Sequence, residues 1–540
     1  MEHELHALDK LPAKEAPALS SRSILRPDDT CWRLVRAESF ALIVDAADYF
    51  AHVKEAMLKA RHSILLIGWD FDLRIRLTPN ADGPQGQMRL GDFLKSLVRG
   101  SPELRIHILK WDMAVFYTMS WQIAPIILYD VIGTRRIHLR FDSTHPATAA
   151  HHQKIVVIDD AIAFCGGIDM TDHRWDTRAH AQDNPCRTDP AGRHYGPWHD
   201  TTAAVAGEAA HALGELARER WLFATGQRLP KPNAGRGIWP DSLTPQLRNV
   251  DVGIARTMPA YEGRRATHEI EALYLAAIAA ARREIYIENQ FFASGRIADA
   301  IIARLQEEDG PDVVVVNPLS AESWLEEETM DCARSLIVRR IRAGDRFGRF
   351  RIYHPVNEHG EPIYVHSKVL VADDRLLRVG SSNVNNRSMG FDSECDLAIE
   401  GSADEPRTCS AIVKMRNGLL AEHLGASPAA VAQAIAEHGS LCAAVDALRT
   451  NEGRSLRVLP LRPVDGPERA LVETHLADPE RPHRPESRIE HMVKRALLRN
   501  PSIAAAAGLG LALAFTGLAA ARLARRPQHT RSYDQTRRDR

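Results

Sequence analysis

The segment His152-Gln153-Lys154-Ile155-Val156-Val157-Ile158-Asp159 returns later in the chain as His366-Ser367-Lys368-Val369-Leu370-Val371-Ala372-Asp373. Each copy places a histidine, a lysine two positions on, and an acid after four apolar residues. Each is followed, fourteen residues after its histidine, by a turn of small residues: Gly166-Gly167-Ile168-Asp169 and Gly380-Ser381-Ser382-Asn383. The apolar run between Lys and Asp reads as a buried strand. On a strand, residues i and i+2 share a face, so each histidine is expected beside its own lysine. An unpaired charge in so apolar a stretch is costly, and two such costs in equivalent places are hard to explain as structure alone. Paired imidazoles and paired ammonium groups suit an anion such as phosphate. The lysines would supply charge, and the histidines a nucleophile and a proton. Repetition in register points to one symmetric site.

The elements that must position these residues repeat as well. Residues 47–60 have helical spacing of apolar positions and run into the strand-like Arg61-His-Ser-Ile-Leu-Leu-Ile-Gly-Trp69. Residues 270–281 form a second amphipathic helix, followed by Glu284-Ile-Tyr-Ile-Glu-Asn-Gln-Phe-Phe292. Strands are expected again at 104–109 and 312–317. Alternating helices and β-branched runs imply an α/β fold of two related domains, each a mixed sheet flanked by helices, in pseudo-twofold arrangement with a C-terminal helical tail. The expected layout is a flexible lead over 1–35, a first half over 36–228, and a Pro/Gly-rich linker over 229–265. A second half over 266–425 and a helical or irregular extension over 426–490 follow. The His-containing stretch 177–197 reads as a loop that either edges a substrate entrance or is a plain surface excursion.

At 540 residues the chain can bury two or three cores. A formal net charge of −1 gives no global basic field, so nucleic acid is not an expected partner. Seven scattered cysteines without C-x-x-C spacing fit a reducing compartment better than a disulfide framework or zinc site. No signal peptide is visible in the polar N-terminus. Residues 503–521 carry no charge and are flanked by arginines, which makes 495–526 a candidate single-pass membrane helix, with a basic tail over 527–540. The resulting expectation is a membrane-associated protein whose catalytic part is cytoplasmic. Oligomeric state is left open.

The duplicated H-x-K-x-x-x-x-D motifs, each followed by Gly-Gly or Gly-Ser, resemble those of the phospholipase D superfamily. The stretches Gly166–Asp176, Trp198-His-Asp200, Ile285–Phe292 and Asn385-Asn-Arg-Ser388 look like its lipid-hydrolysing, eukaryotic-type branch. The resemblance covers roughly residues 35–425. It implies two fused α/β halves whose motifs meet at their interface. It also implies a double displacement with no metal and no cofactor, in which one histidine attacks phosphorus and the other protonates the leaving alcohol. A covalent intermediate divides one difficult displacement into two easier ones, and a histidine can switch from acid to base between them.

By this analogy the catalytic set is His152, Lys154, Asp159, His366, Lys368 and Asp373, with His152 as nucleophile and His366 as general acid/base. Sequence symmetry alone does not fix that order. Asp159 and Asp373 follow the strands and are expected to hold scaffold more than to touch substrate. Asn383 and Asp169 are candidates for the phosphate surround, although an ionised Asp169 would repel phosphate. An acid orienting each imidazole is expected: Glu394 in the second half and Asp200 in the first. His145, His151 and His199 read as structural, since no ligand spacing links them. Trp69, Trp111, Trp121 and Trp198 read as packing residues.

The activity implied is phospholipase D hydrolysis of a glycerophospholipid such as phosphatidylcholine, with transphosphatidylation when an alcohol is supplied. Phospholipid and a membrane surface are the expected partners. Alternatives are a cardiolipin synthase-type phosphatidyltransferase, a nucleic-acid phosphodiesterase and a non-catalytic scaffold. The polar N-terminus, the absent basic stripe and the intact motif residues count against these in turn.

Overall fold

The computed structural model describes residues 23–112, 135–146, 148–232, 237–322, 327–402, 404–464 and 478–479. The first half contributes β1 (Arg33–Val44), β2 (Ser63–Gly68), β3 (Arg105–Trp111), β4 (Ile137–Asp142), β5 (Ile155–Ile158), β6 (Ile162–Gly166), β7 (Trp198–His199) and β8 (Thr201–Gly207). The second contributes β9 (Leu247–Met258), β10 (Thr267–His268), β11 (Glu284–Glu288), β12 (Asp312–Val316), β13 (Phe350–Val356), β14 (Tyr364–Val365), β15 (Val369–Ala372), β16 (Leu376–Gly380) and β17 (Glu394–Glu400), with β18 (Ser455–Val458) added at the edge.

All but β7 and β14 join one mixed sheet, ordered β18-β13-β12-β11-β15-β16-β17-β9-β1-β8-β6-β5-β2-β3-β4, with β10 attached to β9. The order reads as one half laid beside its own repeat. In each half three strands of this sheet pair in parallel (β2–β3–β4 and β11–β12–β13) and its other pairings are antiparallel, while β7 and β14 pair in parallel outside it. Helices Leu90–Gly100 and Gly295–Leu305 make the equivalent crossovers that parallel pairing demands. Strands covered on both faces are continuously apolar, as the fully buried β5 and β15 are.

The halves meet through β1 and β9, which pair antiparallel from Arg33↔Ile254 to Phe40↔Leu247. This corrects the expected domain boundary, because β9 lies inside the stretch read as linker and the second half begins at 247, not 266. One face of the sheet carries a single core containing Leu65, Val157 and Trp221 from the first half and Tyr286, Val371 and Leu420 from the second. It is roofed by the equivalent helices Glu208–Thr225 and Pro406–Leu424. On the other face each half keeps its own core, under helices Ala46–Leu58 and Glu269–Ala280. The expected extension contains two helices, Pro428–His438 and Leu441–Leu448, each started by a serine whose side chain accepts from a backbone N–H three residues on. Among the described residues no helix is long and apolar enough to cross a membrane. The candidate span 503–521 lies outside the described residues, as does Trp121.

Candidate active site

Two short backbone pairings bring the motifs together. The His366 N–H donates to the His199 carbonyl (2.8 Å), continuing the parallel pairing of β14 with β7. The His152 N–H donates to the Ser393 carbonyl (2.9 Å), beside a parallel bridge between His151 and Ser393. Each pairing runs from one half to the other, and each sets the residue after the accepting carbonyl beside a motif histidine. Those residues are Asp200 and Glu394. Asp200 Oδ2 lies 2.6 Å from His366 Nδ1, and both oxygens of Glu394 lie 3.0 Å from His152 Nδ1. The acids sit in the halves where the sequence suggests them, yet each orients the opposite half's ring. With Nδ1 occupied, Nε2 is the nitrogen left for chemistry on both rings.

The small-residue turns exist to let these carboxylates approach. A Cβ on Gly167 would stand 2.1 Å from Asp200 Oδ1. The equivalent position in the second half is Ser381, whose hydroxyl donates to Glu394 Oε2 (2.5 Å), and Ser388 donates to Glu394 Oε1 (2.7 Å). The difference between Gly-Gly and Gly-Ser-Ser therefore tracks two different acids. Serines 381 and 388 were not singled out as functional by sequence reasoning, although both lie inside the quoted motifs.

The H-x-K tripeptides lie just ahead of β5 and β15, not within them, so the strand argument for a shared face does not apply. The lysines reach the site by curling back on their own backbone: Lys154 Nζ donates to the His152 carbonyl (2.9 Å), and Lys368 Nζ to that of His366. Lys154 also pairs with Asp169 (3.1 Å), whose other oxygen accepts from the Trp69 N–H (3.1 Å). Asp169 thus neutralises a lysine and ties a strand end; its charge is not turned on an incoming anion. Lys368 donates to Gln290 (3.1 Å), which Asn383 also approaches (3.5 Å), and Asn383 Oδ1 has no hydrogen-bond partner. The second half therefore keeps the neutral amide and the less compensated lysine.

Asp159 and Asp373 stand apart from the imidazoles. Asp159 accepts from three successive backbone N–H groups, those of Arg61, His62 and Ser63 (2.6–2.9 Å). Asp373 does the same for Arg282, Arg283 and Glu284 (2.8–3.0 Å). Each locks the hairpin after its motif to the start of β2 or β11. These contacts are the scaffold role expected of the two acids from their place after the strands.

Burial holds both imidazoles well below their ordinary range. Lys154 and Lys368 push His152 further down; Lys368, Arg174 and Lys154 do so for His366. Each ring thus feels the lysine of the other half, as groups sharing one site must. Burial also pushes Asp200 up to about 7 and Glu394 up to about 8, and lowers Lys368 to about 7. Both imidazoles and Lys368 are thus disfavoured as cations by burial, and an anion placed among them would favour their charged forms. His152, with 16% of its side chain exposed, is more open than His366 at 6%.

Two further groups stand beside the motif histidines: Trp198, which the sequence reading took for a packing residue, and Arg174, which it did not single out. Trp198 stacks on Tyr364 from the other half (centroids 4.4 Å apart) and lies 5.3 Å from the His366 ring. Arg174 places its guanidinium 4.3 Å from the Trp198 ring centre, with Nε unpaired and buried. Arg174 falls within the quoted Gly166–Asp176 stretch; only folding brings it to His366. Elsewhere, Asp45, His180, His199 and Glu422 gather their ligating atoms within metal-binding distance of one another.

A family model described as "Cardiolipin synthase, PLD-like domain" matches residues 274–412. Phospholipase D A of Dictyostelium discoideum is 26% identical over 465 residues, covering 72% of this chain and 36% of that protein. Phospholipase D1 of Saccharomyces cerevisiae is 24% identical over 504 residues, covering 72% and 29%, and phospholipase D2 of Bos taurus is 24% identical over 471 residues, covering 67% and 49%. The chain thus spans about half or less of the length of these curated relatives. A solved phosphatidylserine synthase of Haemophilus influenzae is 14% identical and covers 72% of this chain and 88% of its own, with a TM-score of 0.49. These likenesses in sequence support the phospholipase D superfamily.

Proposed function

We propose that this chain is a phospholipase D that cleaves the head-group side of a glycerophospholipid phosphodiester through a phosphohistidine. The observation that carries the reading is the crosswise pair of Nδ1–carboxylate contacts, which leaves an Nε2 from each half free beside two buried lysines. In the first step the Nε2 lone pair of neutral His152 attacks phosphorus. The P–O bond to the head group breaks, and the proton on His366 Nε2 passes to the leaving alcohol. In the second step water attacks phosphorus as His366 Nε2 takes its proton. The P–N bond breaks, and phosphatidic acid leaves with His152 restored. Lys154, Lys368 and Arg174 face the charge that builds on the non-bridging oxygens, where preorganised cations act most strongly. The anionic diester supports protonation of His366, whose burial opposes it in the free protein.

The purified chain incubated with labelled phosphatidylcholine or phosphatidylethanolamine and ethanol is expected to form phosphatidic acid and phosphatidylethanol. Folded protein that forms neither from either lipid would overturn the proposal. The description of the matching family model favours a second reading, phosphatidyl transfer between two phosphatidylglycerol molecules. It predicts cardiolipin from phosphatidylglycerol alone, in preference to hydrolysis. Association with a membrane surface and a cytoplasmic catalytic part belong to the same proposal.

A further inference from the structure

Next to Asp200 in the chain and in space, four side chains from widely separated segments converge: Asp45 just after β1, His180 in the loop after Asp176, His199 in β7, and Glu422 in the helix Pro406–Leu424. Their side chains are at most 3% exposed. His180 Nε2 lies 3.1 Å from Glu422 Oε1 and 3.4 Å from Asp45 Oδ2. His199 Nδ1 lies 3.0 Å from Glu422 Oε1 and 3.2 Å from Asp45 Oδ1. Each imidazole has its other nitrogen on a separate carboxylate, His180 Nδ1 on Asp176 and His199 Nε2 on Glu288, both at 2.9 Å. Two nitrogens and two carboxylates thus face a common centre, and each imidazole is held from behind by an outer acid. Histidines that ligate metals are held this way, with the outer acid fixing the tautomer and raising ligand basicity.

We infer that Asp45, His180, His199 and Glu422 form a structural site for a divalent metal that accepts mixed nitrogen and oxygen ligands, zinc foremost. An ion about 2.1 Å from each ligand in tetrahedral geometry sets ligand atoms about 3.4 Å apart; both imidazole nitrogens lie 3.0–3.1 Å from Glu422 Oε1, and each lies 3.2–3.4 Å from one oxygen of Asp45, His199 from Oδ1 and His180 from Oδ2. The competing arrangement is a pair of imidazolium ions, which supplies the same two positive charges. It fits less well. Each imidazole turns one nitrogen, hence one proton, toward two carboxylate oxygens, and Asp45 Oδ2 is left buried with no hydrogen-bond donor. One ion serves all four ligands. The remaining contacts are compatible with ligation: Glu422 Oε2 accepts from Arg178 Nε (2.5 Å), and Asp45 Oδ1 from the Asp200 N–H (3.1 Å). Sequence spacing set metal aside for these histidines because the ligands come from four places that no short pattern joins.

The site would brace chemistry without touching substrate. Asp200 follows His199 directly and bonds to Asp45, so an ion here fixes the carboxylate that orients His366. It would also tie the first half to the C-terminal helix of the second. With ligands so buried, the ion enters as the chain folds and exchanges slowly.

The test is metal content. The full chain, untagged and made in zinc-supplemented medium without chelating steps, is expected to carry about one zinc per molecule by mass spectrometry of dissolved metal. Expression in cobalt medium is expected to give the strong visible bands of four-coordinate cobalt. Asp45→Asn and Glu422→Gln should each lower bound metal at least tenfold. Folded wild-type chain holding less than a tenth of an equivalent of divalent metal from either medium overturns the site and leaves the imidazolium pair in its place. Should the variants fail to fold, the wild-type stoichiometry and cobalt spectrum decide alone. Neither measurement uses lipid or turnover, so failure here is separate from failure of the proposed activity.

Discussion

Under the proposed double displacement, replacing Asp200 by Asn and Glu394 by Gln should separate the two imidazoles by the chemical step each serves. Asp200→Asn removes the charge from a 2.6 Å contact to His366 Nδ1 while keeping the shape of the side chain. An amide can present N–H to the ring and favour the tautomer with its proton on the wrong nitrogen. A hydrogen bond to a charged group contributes roughly 1.5–3 kcal/mol, which corresponds to roughly 10- to 150-fold in rate. Glu394→Gln makes the same change on His152, although Ser381 and Ser388 keep holding the side chain in place. The informative substrate is a phosphatidyl ester of p-nitrophenol, whose leaving group needs no proton. With it, Asp200→Asn should form the phosphohistidine at nearly normal speed and resolve it slowly. A burst of nitrophenolate would be followed by a steady rate 10- to 150-fold below wild type, with phosphate recovered on the His152 peptide after alkaline quench. Glu394→Gln should slow the burst itself and accumulate nothing. If both variants slow the burst equally and neither holds phosphate, the crosswise division of labour is wrong. Accumulation on Glu394→Gln instead would make His366 the nucleophile.

Three other outcomes follow from particular contacts. Lys368 is a buried cation lowered to about 7 and loses its charge as pH rises, so kcat/KM should fall above about pH 7; a profile still climbing at pH 9 would exclude Lys368 as the essential cation. Gly167→Ala drives a methyl group to 2.1 Å from Asp200 Oδ1 and should cut turnover at least tenfold with the fold retained by circular dichroism; normal turnover would mean that the acid need not sit there. Asp159→Ala strips the acceptor from three backbone N–H groups and should cost on the order of 3 kcal/mol in denaturant unfolding; a loss under about 1 kcal/mol would contradict its scaffold role.

What was legible in the sequence was local. Two copies of one octapeptide, two small-residue turns at equal distance and two helix-to-strand units in the same places give the duplication and the strands β2, β3, β5, β11, β12 and β15, because burial on both faces leaves continuous apolar runs such as Ile155–Ile158 and Val369–Ala372. β9 was hidden by the prolines and glycines upstream of it and by its half-exposed start, where Arg248, Asn249 and Asp251 face solvent, which resembles a connector until it pairs with β1. The pairing of His152 with Glu394 joins residues 242 positions apart, and that of His366 with Asp200 joins residues 166 apart. No spacing rule spans such distances; the pairing of β14 with β7 and the bridge between His151 and Ser393 set which acid meets which ring. The position of Arg174 over Trp198 is likewise set by tertiary packing alone.

The central claim is that one imidazole from each half acts in turn through a covalent intermediate, and its most direct test is the stereochemistry at phosphorus. A phospholipid made chiral at phosphorus with oxygen isotopes, converted by this chain with an alcohol acceptor, should give product of retained configuration, because two in-line displacements each invert. Net inversion would mean a single displacement with no phosphohistidine, and would contradict the account.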